Sequence, residues 1–423
     1  MDTIMEAVQL FENNEAEKAL KLLRQHIEIA SDDEKFTIAQ LYLQLGFLQE
    51  ARDLLTELLE IYPDESELKL TISEVFIELE DDESAINLLV GIKEEDELYV
   101  QALLQLADLY QSQGLFEVAE QKLLIAKQLE PNEEIIDFAL AELYFSIGEY
   151  KKAILYYEKV DTKEIVAVSI DDRLGEAYAA AGEYEKALSY YKEHENEDPE
   201  RLFRYGITAY QAERTDIAIK AWEHVIDLDP YYHTVYYQLA RAYEEEGRPE
   251  EGYAISKRGI QIDEFNKELL LQAATFAHQF GEDKQSEEFA RNAVALDTDY
   301  KEAVLFLIEL FKKQMNYHAI IDLLLEIKKS DADDPLYEWE LARAYNEIDS
   351  YDHALNHYKE AYNTLSQDSD FVKEYGYFLT EEGRIGEAIP IFESYLLLQP
   401  LDGEVEEFAN RLKLSRNDDS PYA

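Results

Sequence analysis

Residues 106–131, LADLYQSQGLFEVAEQKLLIAKQLEP, contain the pattern that determines the fold. Leu106 is followed by the small residue Ala107 and then by Tyr110, and a glycine, a second alanine and a proline come later. The same spacing starts again at Leu140, 34 residues further along the chain. A fixed period of 20–50 residues is typical of repeat architectures. The chain is therefore predicted to consist of tandem copies of one short unit.

Eleven copies of this unit follow one another. The positions equivalent to Leu106, called anchors below, are Ile38, Ile72, Leu106, Leu140, Leu174, Tyr205, Leu239, Ala273, Leu307, Leu341 and Tyr375. Nine of the ten intervals are 34 residues long, and the interval from Leu174 to Tyr205 is 31. The residue after the anchor is small in ten of eleven copies, as is the residue 13 positions after the anchor. Small residues at two fixed places indicate that two helices cross closely within each unit.

Each unit is predicted to form a helix, a short turn and a second helix. Apolar residues recur at i, i+3, i+4 and i+7, which is the spacing of one helical face. Glycines such as Gly114 and Gly148 stand at the predicted turns, where a helix end favours a left-handed residue. The predicted fold class is therefore all-α.

The pattern Leu-Ala/Gly-x-x-Tyr, then Ala-x-x-x-Tyr/Phe, then Pro resembles the tetratricopeptide repeat. The chain is similar overall to the long acidic cytoplasmic members of that family in Bacillus-like bacteria. The resemblance implies a right-handed α-solenoid of about 11–12 helix-turn-helix repeats with a C-terminal capping helix. It also implies a concave groove, lined by the first helix of each repeat, that binds other proteins.

The repeats suggest one elongated domain with atypical ends. We expect a degenerate N-terminal helix pair at 1–31, eleven repeats at 32–400, a capping helix at 401–416 and a flexible tail at 417–423. The short interval lies near residues 195–205 and predicts a local change in superhelical pitch.

Charge excludes several classes of partner. The chain has 39 Lys and Arg against 93 Asp and Glu, a formal net charge of −54, and no cysteine. Binding to nucleic acid or to anionic membranes requires clustered bases, so neither is expected. Disulfides and thiolate metal sites are excluded by the composition. The N-terminal residues lack the features of a signal peptide and no apolar stretch approaches a membrane span, so a cytoplasmic protein is expected.

Catalytic and cofactor motifs are missing from the sequence. No GxSxG, GxxxxGK[ST] or GxGxxG motif occurs, and carboxylates are too abundant to single out an acid–base pair. His353 and His357 have the i, i+4 spacing of a helical metal site, but the HExxH glutamate is missing, and two exposed histidines are the simpler interpretation. We expect no enzymatic activity, no cofactor and no metal.

The candidate site follows from the family's groove positions. Two residues after the anchor, four consecutive repeats carry Glu74, Asp108, Glu142 and Glu176, called the acidic row below. Arginines occupy the same position in two later repeats, and aromatic residues occur two residues before five of the anchors. The predicted partner-binding groove comprises Phe36, Glu74, Asp108, Phe138, Glu142, Glu176, Phe203, Tyr237, Arg241, Trp339 and Arg343.

Rings and charges together are suited to capturing a protein segment. We expect the N-terminal groove to receive a basic or helical segment and the C-terminal groove to make a mixed contact. A carboxylate clamp for chaperone tails is not expected. In this family the clamp uses Lys two residues before the anchor and Asn two residues after it. Lys373 is the only lysine at the first of these positions, and the second position of its repeat is Tyr377.

Three functions fit this surface. The leading one is a non-enzymatic scaffold or adaptor for a partner protein. A regulatory adaptor that presents a client enzyme to a chaperone or protease is an alternative. A structural element that self-associates through its solenoid ends is the other.

Overall fold

The computed structural model describes residues 2–192, 198–329 and 334–418. Backbone contacts divide the chain into two compact units, unit 1 within residues 1–196 and 211–213 and unit 2 within residues 197–210 and 214–423. The part of the chain described here contains twenty-five helices and one short hairpin. The predicted tail at 417–423 lies almost wholly outside the described residues, as does part of the short interval.

The helices of unit 1 alternate as first and second members of a pair. Its elements are α1 Asp2–Glu12, α2 Ala16–Ile27, α3 Asp32–Gln44, α4 Leu48–Ile61, α5 Ser66–Glu78, α6 Asp82–Val90, α7 Tyr99–Ser112, α8 Phe116–Leu129, α9 Glu134–Ser146, α10 Tyr150–Tyr157, β1 Glu164–Ile165, β2 Val168–Ser169, α11 Ile170–Ala180 and α12 Tyr184–Lys192.

Unit 2 continues the alternation and ends in a single helix. Its elements are α13 Pro199–Gln211, α14 Thr215–Leu228, α15 Thr234–Glu245, α16 Pro249–Ile262, α17 Lys267–Gln279, α18 Asp283–Leu296, α19 Lys301–Lys313, α20 Tyr317–Lys328, α21 Pro335–Glu347, α22 Tyr351–Leu365, α23 Ser369–Glu381, α24 Ile385–Leu398 and α25 Gly403–Asp418.

Within each unit, the main contacts join helices that are neighbours in sequence. Both small positions of the repeat lie in these contacts, and Ala39, Ala51, Ala141 and Ala153 are all fully buried. Packing of this kind, in which each repeat contacts only the repeats next to it, defines a solenoid. The predicted all-α solenoid of tetratricopeptide-like pairs is confirmed.

A left-handed residue marks the turn inside every helix pair. The residues with positive φ at this place are Asn14, Gly46, Glu80, Gly114, Gly148, Gly182, Glu213, Gly247, Gly281, Met315, Asp349 and Gly383. Seven are glycine, which adopts positive φ without steric cost, but five carry side chains. The turn geometry is therefore set by the helix pair, even where the residue is intrinsically unsuited to it.

A two-stranded hairpin, which the sequence did not predict, connects α10 to α11. Glu164 pairs with Ser169, and Val166 and Ala167 form the turn with φ of 50° and 61°. Strands of two residues are too short to show alternating polarity, and the turn lacks the usual Asn-Gly signal. The helix before the hairpin, α10, has only eight residues, and residues 158–163 connect it to the hairpin without forming a helix.

Tyrosines four residues after the anchor connect successive repeats. The hydroxyl of Tyr144 donates to Glu120 and that of Tyr178 donates to Glu158, each at 2.5 Å. Tyr243 donates to Glu223 in the same way. In each case the carboxylate belongs to the previous repeat, on its second helix or just after it, so part of the acidic charge serves to hold neighbouring repeats together.

We predict that Gly206→Ala destabilises unit 2. An added Cβ would lie 2.6 Å from Cδ1 of Trp222, which is fully buried and donates a hydrogen bond to the Phe203 carbonyl. Overpacking of this kind costs about 1–3 kcal/mol. Urea unfolding followed by tryptophan fluorescence measures it, since both tryptophans of the chain lie in unit 2.

Gly403→Ala is the matched control, because a Cβ at that glycine meets no atom within 4 Å. Its unfolding midpoint should stay close to that of the wild type. An unchanged midpoint for Gly206→Ala would show that α13 and α14 are not in close contact at this residue.

Candidate partner-binding surface on the first helices

The first helices of three successive pairs in unit 1 line a cavity of about 640 Å³, called the acidic cavity below. Helices α3, α5 and α7, with the two residues before α7, provide its wall. The lining residues are Gln40, Leu43, Gln44, Glu67, Leu70, Thr71, Glu74, Glu97, Leu98 and Gln101. They combine three carboxylates, three amides and three leucines, and none of them is a base.

Glu74 is the member of the acidic row that lines this cavity. Its Oε1 accepts a hydrogen bond from Nε2 of Gln105 at 3.0 Å. Partial burial raises the pKa of the Glu74 carboxyl, and the Gln105 hydrogen bond opposes that shift. The carboxylate is therefore held in place by the next first helix and is partly desolvated.

Glu142 and Glu176 are joined by an arginine that the sequence analysis overlooked. Nε of Arg173 lies 3.0 Å from Oε1 of Glu142, and its Nη1 donates to Oε2 of Glu176 at 2.9 Å. The hydroxyl of Tyr157 also donates to Glu142, at 2.5 Å. The acidic row is consequently not four equivalent carboxylates, because two of them share one guanidinium.

Asp108 differs from the other members of the row because its side chain is exposed on α7. It lies one repeat beyond Glu74 and is available to solvent. The structure thus divides the row into a hydrogen-bonded carboxylate, an exposed one and an ion-paired couple.

The two phenylalanines predicted for unit 1 have different surroundings. Phe36 is half-buried and lines a second cavity, of about 370 Å³, beside the acidic cavity. Phe138 is also half-buried, and its ring centroid lies 6.2 Å from that of the fully buried Tyr157. Phe138 therefore packs within the helix array, whereas Phe36 borders open space.

The predicted residues at the start of unit 2 form small aromatic groups. The ring of Phe203 lies 5.2 Å from that of Tyr232. Arg241 stacks 5.2 Å from the ring of Tyr210, and its Nε lies 3.4 Å from Glu245. Tyr237 is half-buried.

Trp339 and Arg343 meet at a carboxylate that was not predicted. Trp339 is buried, and its Nε1 donates to Oε1 of Glu374 at 2.8 Å. The Arg343 guanidinium lies 4.0 Å from the Trp339 ring centroid and donates to both oxygens of Glu374. It also donates to Glu340 at 2.9 Å, and Tyr358 donates to Glu374 at 2.8 Å.

The ionisation of this group follows from its contacts. Burial acts to raise the pKa of the Glu374 carboxyl, but the hydrogen bonds from Arg343 and Trp339 outweigh it and leave the pKa below its ordinary value. Burial acts in the opposite sense on the Arg343 guanidinium, where Glu374 and Glu340 outweigh it and raise the pKa. Both groups are charged at neutral pH, and most of their hydrogen-bonding capacity is used within the protein.

A cavity of about 380 Å³ adjoins this group. Residues of α19 to α23 line it, and Lys312 is its other base. Nζ of Lys312 lies 2.9 Å from Glu309 and 2.8 Å from Glu340. Lys312 and Arg343, two of the bases that interrupt the acidic surface of unit 2, are therefore neutralised by neighbouring carboxylates.

The residues missed by sequence reasoning occupy the position one before the anchor. A side chain two residues after one anchor contacts a side chain one residue before the next anchor, 31 residues further on. The pairs are Glu74 with Gln105, Glu142 with Arg173, and Arg343 with Glu374. The sequence feature that could have identified these contacts is a polar residue immediately before the anchor.

His353 and His357 form part of a packed group. The rings of both histidines stack on Tyr345, at 5.1 and 5.2 Å. His357 Nδ1 lies 2.7 Å from Oε2 of the buried Glu338, which Lys328 also contacts. The expectation of two exposed histidines is wrong for His357, which is largely covered. Among the described residues, no group of three or more His, Asp or Glu side chains could hold a metal ion.

Within residues 2–192, 198–329 and 334–418, no helix combines the length and apolar character needed to cross a membrane.

The paired helices and their 34-residue spacing are those of a tetratricopeptide repeat protein, a class that generally mediates protein–protein interaction. The family model of YpiA-like tetratricopeptide repeats matches residues 111–165, and that of YpiA-like C-terminal tetratricopeptide repeats matches residues 335–402. The TPR repeat-containing protein YpiA of Bacillus subtilis (strain 168) is 40% identical over 414 residues, covering 97% of this chain and 98% of that protein. The chain therefore belongs to the family of YpiA-like tetratricopeptide repeat proteins.

Two solved structures match this chain at low sequence identity and with low TM-scores. YrrB, described as a TPR protein with an unusual peptide-binding site, is 16% identical, with a TM-score of 0.37 over 43% of this chain and 95% of that one. The hetero-tetramer Cut9-Hcn1 of the APC/C is 13% identical, with a TM-score of 0.34 over 96% of this chain and 95% of that one.

We predict that Arg343→Met lowers stability by about 1–2 kcal/mol at pH 7, a modest amount because each partner's side chain is about a third exposed. The pKa of Glu374 is lowered by folding, so the pair stabilises the fold above the unfolded pKa of about 4.3. That contribution is lost as pH falls through the folded pKa. The difference between wild type and variant, measured by urea unfolding, should therefore shrink towards pH 3.

Arg248→Met is the control, because the ion pair of Arg248 with Glu251 lies at the surface. Its effect should be small at every pH. A difference between wild type and Arg343→Met that is constant from pH 7 to pH 3 would contradict the ionic role of Glu374.

Proposed function

We propose that the chain is a non-enzymatic scaffold or adaptor that binds an apolar and basic segment of a partner protein in the acidic cavity of unit 1. The proposal rests mainly on one observation: three successive first helices provide leucines, amides and carboxylates to one cavity without a base among them.

The composition of the cavity suits a peptide in three ways. Leu43 and Leu98, which are both half-buried, offer apolar surface to apolar side chains of the partner. Amide side chains both donate and accept hydrogen bonds, so Gln40 and Gln101, on different helices, can pair with an extended backbone. The carboxylates favour basic side chains over acidic ones.

The surrounding charge supports the same partner. Residues 51–150 contain 5 Lys and Arg and 25 Asp and Glu. A surface of one sign raises the local concentration of an oppositely charged partner and accelerates association. The exposed Asp108 extends this surface by one repeat beyond Glu74.

Unit 2 is a poorer candidate for the same role. The predicted mixed contact relied on bases such as Arg241, Lys312 and Arg343. Each of these has a carboxylate partner within the protein, so binding a new anion there requires breaking an existing ion pair.

We predict that Glu74→Gln with Glu97→Gln weakens binding of peptides that contain leucine and lysine. Glutamine at position 74 can still accept the hydrogen bond from Gln105, so the fold should be retained. Removing two carboxylates should raise Kd by about fivefold at low salt and by less at high salt. Fluorescence anisotropy with labelled peptides measures Kd at both salt concentrations.

The control is Glu83→Gln with Glu117→Gln, which changes the net charge equally through exposed residues on the second helices α6 and α8. It should bind peptides nearly as the wild type does. Equal weakening by both double variants would show that net charge alone, and not the acidic cavity, governs binding.

A further inference from the structure

The second cavity of unit 1 is not used by the proposed function. It has a volume of about 370 Å³ and shares Glu67 with the acidic cavity, so the two are neighbours. It is called the aromatic cavity below. Its lining residues are Asp32, Asp33, Phe36, Leu58, Tyr62, Glu65, Glu67 and Leu68.

Half of this lining is apolar and held in place by packing. Leu58 and Leu68 are buried in the core of unit 1, and Phe36 packs against the same core. Tyr62 is 44% exposed, and its hydroxyl donates to Oδ2 of Asp32 at 2.7 Å. That hydrogen bond joins the end of α4 to the start of α3 and orients the ring and the carboxylate together.

The charge of the lining has one sign. The charged residues that line the cavity are the carboxylates Asp32, Asp33, Glu65 and Glu67. The N-termini of α3 and α5 lie nearby, and each contributes about half a positive charge, so a net charge of about −3 remains. The neighbouring Lys35 is directed to Glu57, at 2.7 Å, and is not part of the lining.

These properties decide between classes of occupant. An anion would face uncompensated repulsion from the carboxylates. A purely apolar side chain would remove water from the carboxylates without replacing their hydrogen bonds, which is costly. A long basic side chain avoids both costs, because its methylene stem covers apolar surface while its charged end reaches the carboxylates.

We propose that the aromatic cavity binds one lysine or arginine side chain of the partner segment whose apolar residues occupy the acidic cavity. The inference rests on the proposed function and adds to it a position-specific requirement for a cation. The rings of Phe36 and Tyr62 add attraction for that cation, which amounts to about a two- to fivefold gain in affinity at exposed sites.

The test uses short labelled peptides that carry two leucines and one lysine, with the lysine moved one position at a time. The tightest binder is compared with a peptide in which norleucine replaces its lysine, and with one in which arginine does. The wild-type chain should bind the norleucine peptide about tenfold more weakly and the arginine peptide about as well as the lysine peptide.

The same peptides are then measured with a variant of the protein that carries Phe36→Leu and Tyr62→Leu. Leucine keeps apolar bulk at both positions, and thermal unfolding checks that the fold is retained. This variant should discriminate between lysine and norleucine by only about threefold. The Glu74→Gln, Glu97→Gln variant should instead keep most of the discrimination, because the rings and carboxylates of the aromatic cavity are unchanged in it.

The outcomes separate the two proposals. Equal binding of the lysine and norleucine peptides to the wild type would overturn the cation site and leave the proposed function standing. If the Phe36→Leu, Tyr62→Leu variant preferred the lysine peptide over the norleucine peptide as strongly as the wild type does, the cation would bind elsewhere and the inference would also be overturned. If no peptide bound the wild type, the proposed function would be wrong and the inference would fall with it.

Discussion

The close crossing of the two helices in each pair is the contact on which the other features depend. Fully buried alanines such as Ala39, Ala51, Ala141 and Ala153 let the backbones approach at both small positions of the repeat. Where glycine replaces alanine, as at Gly206, the partner helix supplies a ring that fills the space. This crossing fixes the orientation of each first helix, and hence which of its side chains meet those of the next first helix.

That geometry gives the acidic residues two separate uses. Some carboxylates connect neighbouring repeats, as Glu142 does with Arg173, and these are partly neutralised. Others, including Glu97 and Asp108, face solvent on or beside the first helices. The net charge of −54 is thus an overestimate of the charge that a partner would meet, and its location is more informative than its sum.

The repeat, its helix pairs and the all-α fold were predictable because they depend on patterns that recur many times. Features that depend on one local stretch of sequence were not predictable. The left-handed turns at Glu80 and Met315 lack the glycine that identifies the others, and the hairpin at Val166 lacks a turn signal.

The candidate surface was predictable only in part, since a position on a helix does not determine which side chain will be its neighbour. Glu74 and Phe36 line the cavities on which the proposals rest. Trp339 and Arg343 form internal contacts with Glu374, and that partner depends on the side-chain conformations of two adjacent helices.

The tyrosine–carboxylate hydrogen bonds also determine how the protein should respond to alkali. Burial, followed by hydrogen bonds to Glu200 and Glu282, raises the pKa of Tyr232 and of Tyr253 to about 12. Because these folded values exceed the unfolded value of about 10, the phenols stabilise the fold below pH 10 and cease to do so as pH rises through 12. These contacts between helices will therefore weaken when the phenols ionise, since each hydrogen bond then becomes a repulsion between two negative charges.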